Sequence, residues 1–106
     1  MKHSKLFIFA IMTTLAVSGC KHQAATYPTD TLTTKNGSQL TITFFKHASL
    51  AIETEGRHIY IDPISQYADY ASLPKADLIL ITHSHYDHLD SAAVAALSTA
   101  ATTVVC

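Results

Sequence analysis

The residues best suited to chemistry in this sequence lie between Thr82 and Asp90, where four candidate metal ligands occupy a window of six positions. They are His83, His85, Asp87 and His88. An apolar run precedes this window and an alanine-rich run follows it. The pattern predicts a strand, then a ligand-bearing loop, then a helix.

The spacing of these ligands favours a pair of metal ions. Side chains alternate across a strand, so His83 and His85 point to the same side while Ser84 points away. Two imidazoles on one side can bind one cation at about 2.0–2.1 Å. Because the chain must then turn into the helix, Asp87 and His88 suit a second cation, and metals about 3.5–4 Å apart activate water.

The His-x-His-x-Asp-His pattern after an apolar strand resembles the signature of the metallo-β-lactamase-fold hydrolases. Two upstream segments, Phe45–Ser49 and Ile59–Pro63, resemble the opening of the branch that contains ascorbate-phosphate lactonase-like and phospholipase D-like members. That branch usually has glycine where this chain has Lys46. The resemblance extends from about Leu40 to Cys106.

The resemblance implies a dinuclear zinc centre, with manganese or iron as the other metals that the family uses. It implies that His83 and His85 bind the first ion and that Asp87 and His88 bind the second. It also gives Asp87 a catalytic role, because its free oxygen would orient the attacking water. The substrates implied are esters, lactones, amides or phosphodiesters.

Two more residues are expected beside this centre as supports. Asp62, which precedes Pro63, is either a turn residue or a carboxylate that orients a metal-bound histidine. His47 follows a strand at the place where the branch carries its own histidine, so we expect it near the site and not as a ligand. The other interpretation of the motif is a chance cluster in a solvated loop, which its spacing after a strand disfavours.

The fold class predicted from the pattern is α+β. Alternating apolar residues and two turn signals, Asn36-Gly37 and Glu55-Gly56, predict a β-meander. A short helix, a strand buried on both faces, the helix after Asp90 and a last strand follow. The predicted strands span 31–35, 40–46, 49–54, 57–61, 78–81 and 102–105, and the short helix spans 64–72.

The resemblance also implies an αββα sandwich of about 200 residues, whose later half supplies more ligands. This chain has no His after His88 and no Asp after Asp90. We therefore expect residues 31–106 to form the N-terminal half of that sandwich, to bind zinc poorly and to be inactive alone, since catalytic zinc uses about three protein ligands. Two functions follow: a lipid-anchored metal-dependent hydrolase in its full-length form, or a non-catalytic lipoprotein half-fold with a residual or structural metal site.

The first nineteen residues have the pattern of an export signal. Lys2 and Lys5 precede an apolar run from Leu6 to Val17, which is shorter than the about 20 residues of a membrane span. Val17-Ser18-Gly19-Cys20 resembles a bacterial lipoprotein cleavage box. The predicted organisation is signal peptide 1–19, lipidated Cys20 and tether 20–30, and domain 31–106. An ordinary signal peptide with a chance cysteine and an N-terminal anchor helix are the alternatives.

Composition limits the partners. The formal net charge is −1 and no basic run occurs, which disfavours nucleic-acid binding. The expected partners are a small-molecule or lipid-like substrate and a membrane reached through the lipid anchor. The expected location is the periplasmic side of a bacterial cell envelope, with the outer membrane favoured because Lys21 follows Cys20.

We predict that Cys20 is lipidated and that the mature protein associates with membranes. Cells expressing the protein are labelled with a clickable fatty acid. Label is expected in the wild type and in Cys106→Ala, the matched control at the other cysteine. No label is expected in Cys20→Ala. Equal label in wild type and Cys20→Ala, or label in neither, contradicts the prediction.

Overall fold

The computed structural model describes Gly19 and residues 25–106. The predicted signal sequence apart from Gly19, the predicted lipidation site Cys20 and the first residues of the predicted tether lie outside the described residues. Among those that are described, no helix has the length and apolar character needed to cross a membrane.

A single six-stranded sheet forms the framework, and its spatial order is the order of the strands in the chain. Strands β1 to β4 pair antiparallel, whereas β4, β5 and β6 pair parallel. The α+β class and the β-meander predicted from the sequence are confirmed. The elements are β1 Thr29–Thr33, β2 Gln39–Lys46, β3 Ser49–Thr54, β4 Arg57–Ile61, a 3₁₀ helix Tyr70–Ser72, β5 Leu78–Leu80, α1 Ser91–Leu97 and β6 Thr103–Val105.

Both predicted hairpin turns form, but with different backbone chemistry. Glu55 and Gly56 have φ of 49° and 73°, the pair of positive values that a tight two-residue hairpin requires. In the first turn only Gly37 has positive φ, at 87°. Asn36 contributes its side chain instead, because its Oδ1 accepts a hydrogen bond from the Ser38 amide at 3.2 Å.

The predicted short helix over 64–72 is wrong, because only Tyr70–Ser72 is helical there. The Ile64 amide donates to the Tyr70 hydroxyl at 3.4 Å, and the Tyr67 amide donates to the Ile64 carbonyl at 2.9 Å in a tight turn. Burial of Ile64, Ala68 and Tyr70 on the sheet therefore outweighs helical propensity in this segment.

The core lies between one face of the sheet and the segment that carries the 3₁₀ helix and α1. Ile79 and Leu97 are completely buried in it. Tyr70 packs edge-on against Tyr60 and Phe45, with ring centroids 6.0 and 5.4 Å apart. Helix α1 begins at Ser91, directly after Asp90 as predicted, and the Asp90 side chain caps it by accepting hydrogen bonds from the amides of Ala92 and Ala93. This core holds the ligand loop between β5 and α1.

The other face of the sheet is apolar and less covered. Strand β5 was predicted to be buried on both faces, yet only Ile79 is fully buried, while Leu78 and Leu80 are half-buried. Phe44 and Val105 are 41% and 51% exposed on the same face. The apolar side chains that alternation and register place on this face are Leu32, Leu40, Ile42, Phe44, Leu50, Ile52, Ile59, Ile61, Leu78, Leu80 and Val105.

Strand direction brings three chain segments to one edge of the sheet. Strands β2, β4 and β5 run the same way, because β2 and β4 are each antiparallel to β3 and β5 is parallel to β4. Phe44 and Ile61 both pair with Leu50, and Ile61 pairs with Leu80, so the three strands end at a similar level. The residues that follow each strand therefore meet, as at other binding edges of parallel strands.

We predict that the charge of Asp77 contributes to stability in a pH-dependent way. Its carboxylate accepts a hydrogen bond from the His58 amide at 2.8 Å and faces Arg57 at 3.4 Å. The hydrogen bond from the His58 amide and the nearby charge of Arg57 lower the pKa of Asp77 below its usual value of 3.8. A lowered folded-state pKa adds stability above the unfolded pKa, and that stability is lost as pH falls through the folded pKa.

Asp77→Asn keeps an acceptor for the amide but removes the charge. We expect it to be less stable than wild type at about pH 7 and to differ less from wild type at about pH 3. Urea unfolding followed by tyrosine fluorescence measures both, with Asp30→Asn on exposed β1 as the matched control. A deficit for Asp77→Asn that is the same at both pH values contradicts the prediction.

Candidate metal centre

Three potential ligands converge at the edge where β2, β4 and β5 end. His47 Nε2 lies 3.3 Å from Asp87 Oδ2 and 3.4 Å from His88 Nε2. His88 Nε2 lies 3.6 Å from the same Asp87 oxygen. One ligand atom from each residue lies within 4.8 Å of the others, which is close enough for one cation to reach all three.

The hydrogen bonding of His88 fits a cation at this point. Its Nδ1 donates to Asp62 Oδ2 at 2.7 Å, so its Nε2 carries a lone pair in the neutral ring. That lone pair faces the Asp87 carboxylate, and two acceptors that face each other are best satisfied by a positive charge between them. Two imidazole nitrogens and one carboxylate oxygen are ligands that zinc and related transition metals use.

His83 and His85 complete a continuous group of rings. Their ring centroids are 4.6 Å apart in an edge-on arrangement, and the His83 centroid is 3.9 Å from that of His88. Both side chains are exposed at the mouth of the site. The four residues of the sequence motif are thus brought together in space, and their division between two ions stays a prediction.

The buried carboxylate of Asp62 supports the group of histidines through hydrogen bonds to Thr82 and His88. It is completely buried, and its Oδ2 accepts hydrogen bonds from the Thr82 hydroxyl at 2.6 Å and from His88 Nδ1 at 2.7 Å. Its Oδ1 accepts from the Thr82 amide at 2.7 Å. Burial alone raises the pKa of Asp62, but these hydrogen bonds together lower it below its usual value. The carboxylate is therefore charged and fully hydrogen-bonded.

Two residues of the site, one potential ligand and one support, have a left-handed backbone. His47 has φ of 56° and Asp62 has φ of 44°. Histidine and aspartate tolerate this region better than most residues, and the conformation costs on the order of 1–3 kcal/mol at each position. A register shift between Phe44 and Lys46 also precedes His47. These local distortions turn both side chains toward the ligand loop.

The electrostatics of Asp87 suit a ligand. Partial loss of solvent raises the pKa of Asp87, but its own backbone amide and the neighbouring histidines lower it below the usual value. The group is therefore an anion at neutral pH.

His47 lies closer to the ligands than the sequence suggested. The sequence placed it beside the centre as a support, whereas its Nε2 joins Asp87 and His88 in the three-ligand group. Asp62 has the left-handed backbone of a turn residue, and its carboxylate also accepts a hydrogen bond from His88. Its role in orienting a metal-bound histidine stays a prediction.

Thr82 is the residue of the site that sequence reasoning missed. Its hydroxyl lies 2.6 Å from Asp62 Oδ2 and 2.9 Å from His83 Nδ1. The signal in the sequence was its position between the strand and the first ligand. A hydroxyl at this position can contact the first histidine of the motif and a residue at the end of the neighbouring strand.

Comparison with known families covers most of the described domain. A model described as "Beta-lactamase superfamily domain" matches residues 41–105, which include every residue of the candidate centre. The matched segment begins in β2 and ends in β6, so it spans the site together with the strands that position it.

Individual relatives agree with this match. A UPF0173 metal-dependent hydrolase from Flavobacterium johnsoniae is 51% identical over 53 residues, which is 45% of this chain and 24% of the relative. A second UPF0173 metal-dependent hydrolase, from Exiguobacterium, is 32% identical over 69 residues, covering 61% of this chain and 31% of the relative. The match therefore spans about a quarter to a third of these relatives' length.

A solved structure shares the fold. The crystal structure of a candidate metal-dependent hydrolase from Parabacteroides distasonis superposes with a TM-score of 0.74 at 48% sequence identity. The superposition covers 74% of this chain and 36% of that one. Because the family model matches well over half of the sequence and includes the converging histidines and aspartates, the chain belongs to the beta-lactamase superfamily domain family.

Proposed function

We propose that this chain forms part of a metal-dependent hydrolase that acts on an ester, a lactone or a phosphodiester. The observation that carries the proposal is the convergence of His47, Asp87 and His88 on one point, with His88 held by a buried carboxylate. A histidine fixed in this way presents one nitrogen in a defined direction, which is how metal-binding histidines are commonly oriented. The relatives named as metal-dependent hydrolases support the same reaction type.

The residues present fit a centre of up to two ions. His83 and His85 are proposed to hold one, and Asp87 and His88 the other, with His47 as a further donor to the second. Zinc is proposed, with manganese or iron as alternatives. When bound, such ions polarise the scissile bond and lower the pKa of water toward neutrality.

The protein side chains have separate tasks in this proposal. Asp62 keeps the proton of His88 at Nδ1, which leaves Nε2 free for a ligand bond. Asp87 can accept a hydrogen bond from the attacking water through the carboxylate oxygen not used as a ligand, and so orients it. The exposed rings of His83 and His85 line the open side, from which a substrate can approach.

The proposed location and substrate follow from the N-terminal sequence. A lipidated Cys20 would hold the enzyme on the periplasmic side of a bacterial envelope, with the outer membrane favoured by Lys21. A small-molecule or lipid-like substrate is proposed, because the site then lies close to a membrane surface. Nucleic acid is not a proposed partner.

A non-catalytic lipoprotein with a residual or structural metal site is the second candidate. The observation that favours it is that, among the described residues, three ligand atoms lie within 4.8 Å of one another, which suits one ion better than the two-ion centre proposed for hydrolysis. Both candidates bind metal, and they differ in turnover. The earlier expectation that the 106-residue chain is inactive alone stays a prediction.

We predict that His47 is a metal ligand. His47→Ala removes one of three donors, so the zinc affinity of the purified chain is expected to fall at least about 10–100-fold, the loss typical even of residues that only support ligands. Competition with a chelator measures the affinity. His58→Ala is the matched control, because His58 lies on β4 outside the ligand group. Equal zinc affinity in wild type and His47→Ala contradicts the assignment of His47 as a ligand.

We also predict that the motif carries hydrolysis. In a chimera, residues 41–105 replace the matching segment of the Parabacteroides distasonis protein. His85→Ala is expected to lower both bound metal and hydrolysis of an ester, lactone or phosphodiester by at least about 10-fold, since the cation loses a ligand. His58→Ala again serves as control. A chimera that binds metal stoichiometrically but hydrolyses none of the three substrates favours the non-catalytic alternative.

A further inference from the structure

The Thr82 hydroxyl stands between the buried carboxylate and the first histidine of the motif. Its Oγ1 lies 2.6 Å from Asp62 Oδ2 and 2.9 Å from His83 Nδ1. It is 3.4 Å from His88 Nδ1, which has its own shorter bond to Asp62. The hydroxyl therefore has two close polar partners and one proton to share between them.

Proton counting places that proton. An ionised carboxylate only accepts hydrogen bonds, and two oxygens 2.6 Å apart without a proton between them would repel. The Thr82 hydroxyl therefore donates to Asp62 Oδ2. Its oxygen then has only lone pairs to offer His83, so the contact at 2.9 Å requires a proton on His83 Nδ1. A neutral His83 with that proton has its lone pair on Nε2.

We infer that Thr82 is a positioning residue that sets the tautomer of His83, so that Asp62 directs two histidines at once, His88 by direct contact and His83 through the Thr82 hydroxyl. His88 Nδ1 donates directly to the Asp62 carboxylate at 2.7 Å. His83 Nδ1 donates to the Thr82 hydroxyl, which in turn donates to the same carboxylate. His88 then presents Nε2 to Asp87 and His47, and a neutral His83 has its own lone pair on Nε2.

The arrangement also links both rings to the same pair of residues. Their centroids are 3.9 Å apart at an interplanar angle of 41°, and both Nδ1 atoms are tied to the Asp62–Thr82 pair. The Thr82 amide donates to Asp62 Oδ1, so the threonine cannot rotate away as a whole without breaking a second bond. The inference concerns the tautomer in the metal-free protein and rests on the proposed function only for its purpose, the orientation of a ligand.

Nitrogen-15 NMR of the purified chain, labelled at histidine and free of metal, tests the inference. Spectra are recorded at about pH 8.5, roughly two units above the usual histidine pKa of about 6.5, so that neutral rings report their tautomers. We expect His83 and His88 in the wild type to be protonated at Nδ1. A wild-type His83 protonated at Nε2 overturns the inference without any variant.

Two variants separate positioning from general structure. Thr82→Ser keeps the hydroxyl and is expected to keep the Nδ1–H form of His83. Thr82→Val has nearly the same shape without the hydroxyl, and His83 is expected to shift toward Nε2–H while His88, still bonded to Asp62, does not change. His58, which has no contact with Thr82, is the internal reference for an intact fold. An unchanged His83 in a folded Thr82→Val protein overturns the inference.

The result is independent of hydrolysis. If the tautomers follow these expectations but the His85→Ala chimera keeps its metal and activity, the proposed function fails and the role of Thr82 stands. If the chimera loses both but His83 is protonated at Nε2, the proposed function stands and the role of Thr82 fails.

Discussion

A charge without contact to water must find all of its partners inside the protein, and Asp62 is such a charge. The residue has no exposed surface, yet its carboxylate is held in the ionised form by one amide, one hydroxyl and one imidazole. Leaving any of these bonds unmade would cost about 1–3 kcal/mol or more, because the group is charged. The positions of Thr82 and His88 are therefore set by the need to satisfy Asp62.

The backbone of Asp62 is tied just as firmly. Its amide donates to the Leu80 carbonyl at 3.0 Å, and its carbonyl accepts a hydrogen bond from the buried Ser49 hydroxyl. One residue thus links the start of β3, the end of β4 and the end of β5. These links explain how a left-handed φ, which is unfavourable by itself, persists at this position. The strain is local, whereas the bonds that maintain it come from three neighbouring segments.

Sequence patterns predicted the sheet well because its strands alternate and its turns have clear signals. Leu40, Ile42 and Phe44 alternate with polar residues in β2, and Glu55-Gly56 provides the two positive φ values of a tight turn. The segment 64–72 was mispredicted because spacing alone cannot show that Tyr70 packs against Phe45 and Tyr60. Contacts with residues distant in sequence determine the conformation of such irregular segments, and the local spacing of apolar residues does not reveal those contacts.

The same distinction applies to the site. His83, His85, Asp87 and His88 are close in sequence, so their grouping follows from a loop of ordinary geometry. His47 joins them from 41 residues away, by way of a register shift and a left-handed backbone that alternation rules do not contain. The two hairpins between β2 and β4 predict that β2 and β4 run in the same direction. They do not predict how closely His47 approaches Asp87 and His88.

Burial divides the site into a fixed part and an adaptable part. Asp62 is inaccessible and His88 is mostly covered, so the direction of the His88 ring is determined by the protein before any ligand arrives. His83 and His85 are exposed, and the side-chain hydrogen bond that the structure describes for His83 is its contact with the Thr82 hydroxyl. A cation that binds first to the fixed part would meet a preformed direction, whereas ordering the exposed rings costs side-chain entropy. The entropy cost falls on the exposed rings. A hydrogen bond from His83 to the Thr82 hydroxyl lowers this cost for His83, because it restricts the ring before a cation binds.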